Sequence, residues 1–258
     1  MQQPRNINVR WEWISEGWEM VTKQMGNWIL ITLVAGVVYF LTQLPFYALG
    51  GIMEVAGNRS RDNGLSALVL GSSLIIQLIE IVVGWAALAL IYTGMYSAAL
   101  KQLRGEQIAV RDLFSGLQYY VQALTATVLV GIITLIGFML CIIPGFIAGG
   151  AFLMTYPLIV DRKLSATAAM KTSLDVAQQN LFQFTLFALV ISLIAGLGAL
   201  ACCVGLLITF PLFITTITCA YRDCFGIDGV VSNDSYTPPP PPNYGGYEPP
   251  PPPPSSWQ

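Results

Sequence analysis

The chain has 258 residues, 55% of them hydrophobic and only 10% charged, with a net charge of −2, no histidine and a mean hydropathy of +0.64. A water-soluble domain averages about 25% charged residues, so this composition excludes one and points to an integral membrane protein. The acidic balance excludes a phosphate-gripping nucleic-acid binder, and the missing histidine removes the commonest general base and neutral metal ligand.

In chain order, an amphipathic stretch comes first. From Val9 to Gln24, the residues Trp11, Ile14, Trp18, Val21 and Met25 recur at helical spacing, with Glu12, Glu16, Glu19 and Lys23 opposite. Two readings are open: a helix lying in the headgroup layer, or one packed on the ends of a bundle. The first apolar run begins only at Trp28, behind this acidic stretch, which argues for an uncleaved first span rather than a signal peptide.

Charge-free runs then mark the spans. No Asp, Glu, Lys or Arg occurs in the 30 residues between Lys23 and Glu54, the 48 between Asp112 and Asp161, or the 46 between Asp175 and Arg222. A crossing needs about 20 apolar residues, so the first run holds one crossing and the other two hold a helical hairpin each. The turns are expected at Ile142-Ile143-Pro144-Gly145, where proline and glycine break the helix, and at Cys202-Cys203-Val204-Gly205. Between them, residues 65–100 carry one charge, Glu80. They read as one long helix, kinked near Gly84 or Gly94 and running on to Gly105. Six crossings result, near 28–49, 65–100, 117–140, 146–160, 182–201 and 206–221, with Pro157 and Pro211 as kinks inside spans. With both termini inside the cell, ten of the twelve basic residues are cytoplasmic and only Arg59 and Arg61 lie outside. The positive-inside rule favours that orientation and a multi-pass place in the plasma or inner membrane.

The fold class expected is therefore all-α, a polytopic bundle of about six helices. Residues 1–27 form a cytoplasmic amphipathic segment, 28–225 the transmembrane domain, and 226–258 a disordered Pro-rich cytoplasmic tail. A second surface helix is expected from a Ser165 cap through Met170 and Leu174 to about Asn180, with Lys171 and Asp175 paired at i,i+4. The tail contains proline runs at 238–242 and 249–254, with Tyr236, Tyr244, Tyr247 and Trp257 between and after them. It reads as a polyproline II segment. It is either a docking site for a protein partner with an aromatic groove or a solvated spacer.

The two hairpins echo each other, "GFMLCIIPGFIAGG" from Gly137 and "GALACCVGLLITF" from Gly198, each ending in a charged cluster, Asp161-Arg162 or Arg222-Asp223. Duplication of one unit and a chance match of apolar residues both remain open. The order "DLFSGL", "LCIIPGF", "YPLIVD", "SATAAMKTSLDV", "GLLITFPL" and "AYRDCFG" between Asp112 and Phe225 resembles an uncharacterised bacterial multi-pass membrane family. That family is similar to the membrane domain attached to some glycerophosphoryl diester phosphodiesterases. The resemblance implies a helical membrane domain of unknown activity. The catalytic barrel is missing, so no diester hydrolysis is carried over.

Three groups of candidate residues stand out. Ser73, Gln77, Glu80 and Gly84 fall on one helix face, and Glu80 is expected near the bilayer centre, where a carboxyl group faces the bundle interior or a water-filled path. It serves there as a proton or cation site, or as a neutral group bonded to a neighbouring helix. Gly145 with Gly149, and Ser192 with Gly196, have the small-xxx-small spacing of close helix contacts. Cys141, Cys202 and Cys203 share the outer ends of the hairpins, where an oxidising compartment would allow a disulfide. No metal or cofactor site is expected, since the five cysteines form no C-x-x-C pattern. Function then reads first as a non-catalytic anchor or scaffold with a partner-recruiting tail. The alternative is a transporter or channel for a small solute or lipid that uses Glu80. An enzyme is the weakest reading.

Overall fold

A computed structural model describes residues 8–59, 63–200 and 205–227, with side chains left undescribed at 56–70. Among the described residues the chain is helical throughout the bundle, with ten α-helices in chain order: α1 Glu12–Lys23, α2 Met25–Arg59, α3 Asn63–Leu103, α4 Asp112–Ser115, α5 Tyr120–Leu140, α6 Ile142–Ala151, α7 Thr155–Arg162, α8 Ala166–Ala177, α9 Leu181–Leu200 and α10 Leu206–Phe225. Five stretches are long and apolar enough to cross a membrane: Met25–Val55, Gly71–Leu103, Asp112–Leu140, Ile142–Arg162 and Ala166–Leu200. Their outward faces carry Met139, Leu140, Phe182 and Leu200, each about four-fifths exposed. An apolar exterior of that extent is stable against lipid tails, not water.

The α2–α3 pair is a long antiparallel hairpin. At 1.5 Å rise its 35 and 41 residues extend about 52 and 61 Å, well beyond the ~30 Å hydrocarbon core. The single long third helix expected from the sequence is present. Gly105 ends the turn after it, with a left-handed φ of 84° that costs glycine little. Gly94 brings α3 against α4: a Cβ there would collide with the Leu113 carbonyl oxygen and lie 2.7 Å from its carbon. In return, Gly116 lies so close that its Cβ would be 2.7 Å from the Gly94 nitrogen.

The central post is α10. Pro211, Leu212 and every residue from Ile214 to Tyr221 are buried. Because it faces protein on most sides, it tolerates Thr215, Thr216 and Thr218, whose hydroxyls are fully buried, and it is less uniformly apolar than its neighbours. Beside it, Tyr92 and Tyr96 of α3 pack on Tyr156 of α7, with ring centroids 4.9 and 6.0 Å away, and the Tyr156 and Thr127 hydroxyls are 2.9 Å apart.

Both hairpin turns close on glycine. Cys141 alone separates α5 from α6, in an extended conformation, so the first break comes just before the expected Ile142–Gly145 stretch. Proline sits comfortably in the first turn of a helix, and Pro144 occupies that place in α6. The one-residue turn is possible because Gly137 and Gly145 let the two backbones touch; a Cβ on Gly137 would be 3.0 Å from the Gly145 Cα. In the second hairpin Gly205 presses on the Gly198 carbonyl in the same way. Residues 201–204, including Cys202 and Cys203, lie outside the described residues, as does the Pro-rich stretch from 228 to 258.

The fourth expected span is broken. Instead of a kink at Pro157, the helix stops at Ala151 and restarts at Thr155, leaving Pro157 in the first turn of α7. Ser173 of α8 repairs the gap: its hydroxyl donates to the Ala151 carbonyl at 2.8 Å and accepts from the Met154 N–H at 3.2 Å. Inside an apolar bundle these backbone groups have no water to turn to. Ser173→Ala is expected to leave two buried groups unpaired, costing about 2–4 kcal/mol, read as a lowered melting temperature of the detergent-purified protein. A melting curve unchanged within error would contradict this role for the hydroxyl.

Candidate functional site

Two polar regions lie at different levels of the bundle. At one end the charged clusters converge. Asp223, at the last turn of α10, accepts from Trp13 Nε1 at 2.8 Å and from Arg10 Nη1 at 3.0 Å. Arg222 beside it donates to Glu16 at 2.6 Å and to Asp223 at 2.8 Å. Burial by itself disfavours the Arg222 guanidinium, but the hydrogen bonds and charges of Glu16 and Asp223 outweigh that and hold its pKa above the usual arginine value. On the adjoining side Asp161, at the end of α7, accepts from the Tyr221 hydroxyl and from Arg104, both at 2.7 Å. Lys101 grips both Asp112 oxygens at 3.1 Å. Gln102 accepts from Trp28 Nε1 at 2.8 Å and donates to the Met20 carbonyl at 2.6 Å.

This belt fixes α1. Glycine at position 17 allows the contact, since a Cβ there would be 2.6 Å from the Thr216 hydroxyl, and Thr215 donates to the Gly17 carbonyl at 3.0 Å. The buried face of α1 is Trp13, Gly17, Met20 and Val21; of the expected stripe, Val21 is buried and Ile14 packs partly on the core, while the two outer tryptophans turn away. Trp11 and Trp18 are about half exposed. The helix therefore packs on the bundle and also keeps a tryptophan edge outward. The expected Lys171–Asp175 pair of α8 is not formed, while Ser165 caps that helix as expected, accepting from the Ala168 N–H.

The other polar region surrounds Glu80. Twenty-one residues of α3 separate Glu80 from Lys101, about 31 Å at helical rise and close to the full ~30 Å hydrocarbon depth. Glu80 thus stands far along α3 from the charged belt, and the apolar exterior continues past it through the exposed Leu74, Ile75, Leu78 and Ile79. Of its predicted companions, Gln77 points outward, Ser73 is half-buried and Gly84 is buried. Gly84 faces Gln43 of α2, whose amide nitrogen would be 2.9 Å from a Cβ at that glycine. Gln43 is only 4% exposed. It donates to the Tyr39 hydroxyl at 3.3 Å, and its buried amide oxygen has no hydrogen-bond partner among the described residues. Tyr39 in turn lines an open cleft of about 560 Å³ between α2, α3 and α10, walled by Leu33, Gly36, Phe40, Ile91 and Phe210 among others.

No family model, no curated protein and no solved structure matches the chain. What the two regions can do follows from their chemistry alone. In the belt, the carboxylates of Asp112, Asp161 and Asp223 each meet a cation, so the arrangement holds elements together. In the Glu80 region, the Gln43 amide is bonded to Tyr39 of the cleft wall, and Glu80 lies one turn from Gly84 on the same side of α3.

Helix contacts fall one or two residues away from the predicted small-residue pairs. Gly145 is buried against the Phe138 ring, as a packing glycine should be, but a Cβ on Gly149 or Gly196 would meet nothing within 4 Å, and Ser192 is exposed. The close approaches are made by Gly150, against the Phe184–Thr185 backbone of α9, and by Gly198, against Thr209 of α10. One residue turns a helix face by about 100°, so the composition of these stretches locates the contact but not its register. Cys141 is free and exposed at the first turn; its expected partners Cys202 and Cys203 lie outside the described residues.

Asp161, Asp223, Trp13, Gln43 and Ser173 were not singled out in the sequence as site or clamp residues. Asp161 did appear as the end of a charge-free run, and both Asp161 and Asp223 as members of the charged clusters that close the hairpins. Gln43 had one available signal, as the only Gln or Asn between Asn27 and Glu54.

Proposed function

We propose that the chain is a non-catalytic, six-span membrane protein of the cell membrane with both ends in the cytoplasm, which anchors its Pro-rich C-terminal segment at the bilayer surface for a protein partner. The observation that carries this reading is the contact of Arg10, Trp13 and Glu16 with Arg222 and Asp223. Contact between the two ends of the bundle supports an even number of crossings, with α10 counted as the sixth. It also fixes the point from which the segment beyond Ile227 departs. The exposed Trp11 and Trp18 edge suits the headgroup layer. The motifs behind the resemblance to the phosphodiesterase-associated membrane domain fall on structural features, "SATAAMKTSLDV" on α8 and "AYRDCFG" on the belt, which supports an anchoring role over catalysis.

The test is capture of bound proteins by the full chain and by a chain lacking residues 238–258, in the same cells and at matched levels. A set of proteins recovered only with the full chain is expected. Identical sets would remove the tail from the function, and reporters at the two ends that read opposite sides of the membrane would remove the topology.

A further inference from the structure

We propose that the cleft between α2, α3 and α10 is a lipid site selective for a phospholipid with a primary ammonium headgroup. One acyl chain lies in the cleft, and the ammonium sits between Glu80 and Gln43. The proposal rests on the membrane reading of the bundle but not on the role of the tail.

Three observations carry it. The cleft is apolar and open sideways, since Leu33, Val37 and Phe40 on its wall are each about half exposed. Its volume of about 560 Å³ lies in the range of small-molecule sites. It runs along α2 from Thr32 to Phe40, about 12 Å at helical rise, so an acyl chain in it extends from the Gln43 side towards the charged belt. Its outer end is polar in a specific way. Tyr39 on the wall is bonded to Gln43, and Gln43, almost wholly buried, has an amide oxygen lacking a donor. A buried acceptor left unmade is costly, and a lipid N–H would satisfy it. One helical turn beyond Gly84, which touches Gln43, stands Glu80 on the same face. No ion pair or hydrogen bond to Glu80 is found among the described residues.

Charge decides between headgroups. An ammonium donates three hydrogen bonds and no acceptor, which matches a carboxylate plus an amide oxygen. An anionic headgroup would meet the Glu80 charge with no described cation beside it. A neutral diacylglycerol would satisfy Gln43 but leave Glu80 unpaired. The phosphate of an aminophospholipid would remain at the water boundary.

The test uses the full-length protein in detergent, mixed with equal amounts of phosphatidylethanolamine and phosphatidylglycerol of the same acyl chains, and counts retained lipids by native mass spectrometry. The ethanolamine lipid is expected to be retained about tenfold over the glycerol lipid, the ratio of a 1.4 kcal/mol difference. Glu80→Gln should bring the two lipids to near parity without lowering the total retained. Gly36→Leu should cut retention of both to less than about a third, because a side chain at position 36 enters the cleft and a Cβ there meets nothing within 4 Å. Its melting temperature should not fall, so misfolding is separable from blocking. Equal retention of the two lipids by the native protein, or an unchanged preference in Glu80→Gln, would overturn the headgroup assignment. Gly36→Leu retaining as much lipid as the native chain, or dissociating a dimer whose second copy fills the cleft, would overturn the site.

Discussion

Gly94→Val is expected to prevent accumulation of folded protein. At this position α3 meets the backbone of α4, and a Cβ would overlap the Leu113 carbonyl. Gly116 closes the same contact from the other side against the Gly94 nitrogen and Thr93. Neither partner is a flexible side-chain tip, so relief requires the α3–α4 junction to separate. That junction also carries the Lys101–Asp112 pair. A cost of more than about 3 kcal/mol follows. It is measured as the monodisperse fraction after detergent extraction and as the melting temperature of whatever survives. Gly94→Ala should fail in the same direction. The informative contrast is Gly149→Ala and Gly196→Ala, where the added methyl meets nothing within 4 Å. These two should be neutral or gain up to about 1 kcal/mol from helix propensity. If all four variants melted alike, the close approach at Gly94 would be wrong.

Asp223→Ala should release α1 from the bundle. The carboxylate is 12% exposed and answers to Arg10, Arg222 and Trp13 together. Removing one partner from a mostly buried ion pair leaves the other charges stranded, and about 3 kcal/mol is the expected scale. The share owed to Arg10 is smaller, because its side chain is 38% exposed and water screens it. Trp13→Phe, which deletes one hydrogen bond while keeping the aromatic contact with Phe187, should cost about 1 kcal/mol. Limited trypsin digestion separates local from global effects. In Asp223→Ala the cut at Lys23 should appear early while the remainder of the bundle stays intact. Loss of the whole bundle at the same rate would mean that the belt supports more than α1.

The parts of the fold legible in the sequence are those set by local rules. A stretch carrying only Glu80 between residues 65 and 100 pointed to the continuity of α3, and Ser165 capped α8 because a β-region serine before an alanine-rich run has few other uses. The turn at Cys141 was misplaced by a few residues because proline is as acceptable in a first helical turn as in a loop. The face of α1 was misread because two stripes compete on one helix. Trp11, Ile14 and Trp18 score as apolar, yet Gly17 decides the docking by having no side chain at all. The belt was invisible for a different reason. Apart from Lys101–Asp112 and Arg222–Asp223, its pairs join residues 57 to 213 positions apart, and no pattern within a window of one element reports which carboxylate an arginine will meet. Glu80 was recognised as unusual, but its depth depends on where α3 ends, and Gln43 acquires meaning only once Gly84 is seen against it.

The docking of α1 on α10 also bears on how the molecule is made. Ribosomes deliver Trp13 and Glu16 early and Arg222 and Asp223 much later, with five stretches long and apolar enough to cross a membrane between them. Throughout synthesis the earliest helix waits with its Trp13–Met20 side uncovered, and a chain that stops short never covers it. Completion thus seals the molecule, and an unfinished copy advertises itself to whatever proteolytic surveillance patrols that membrane face.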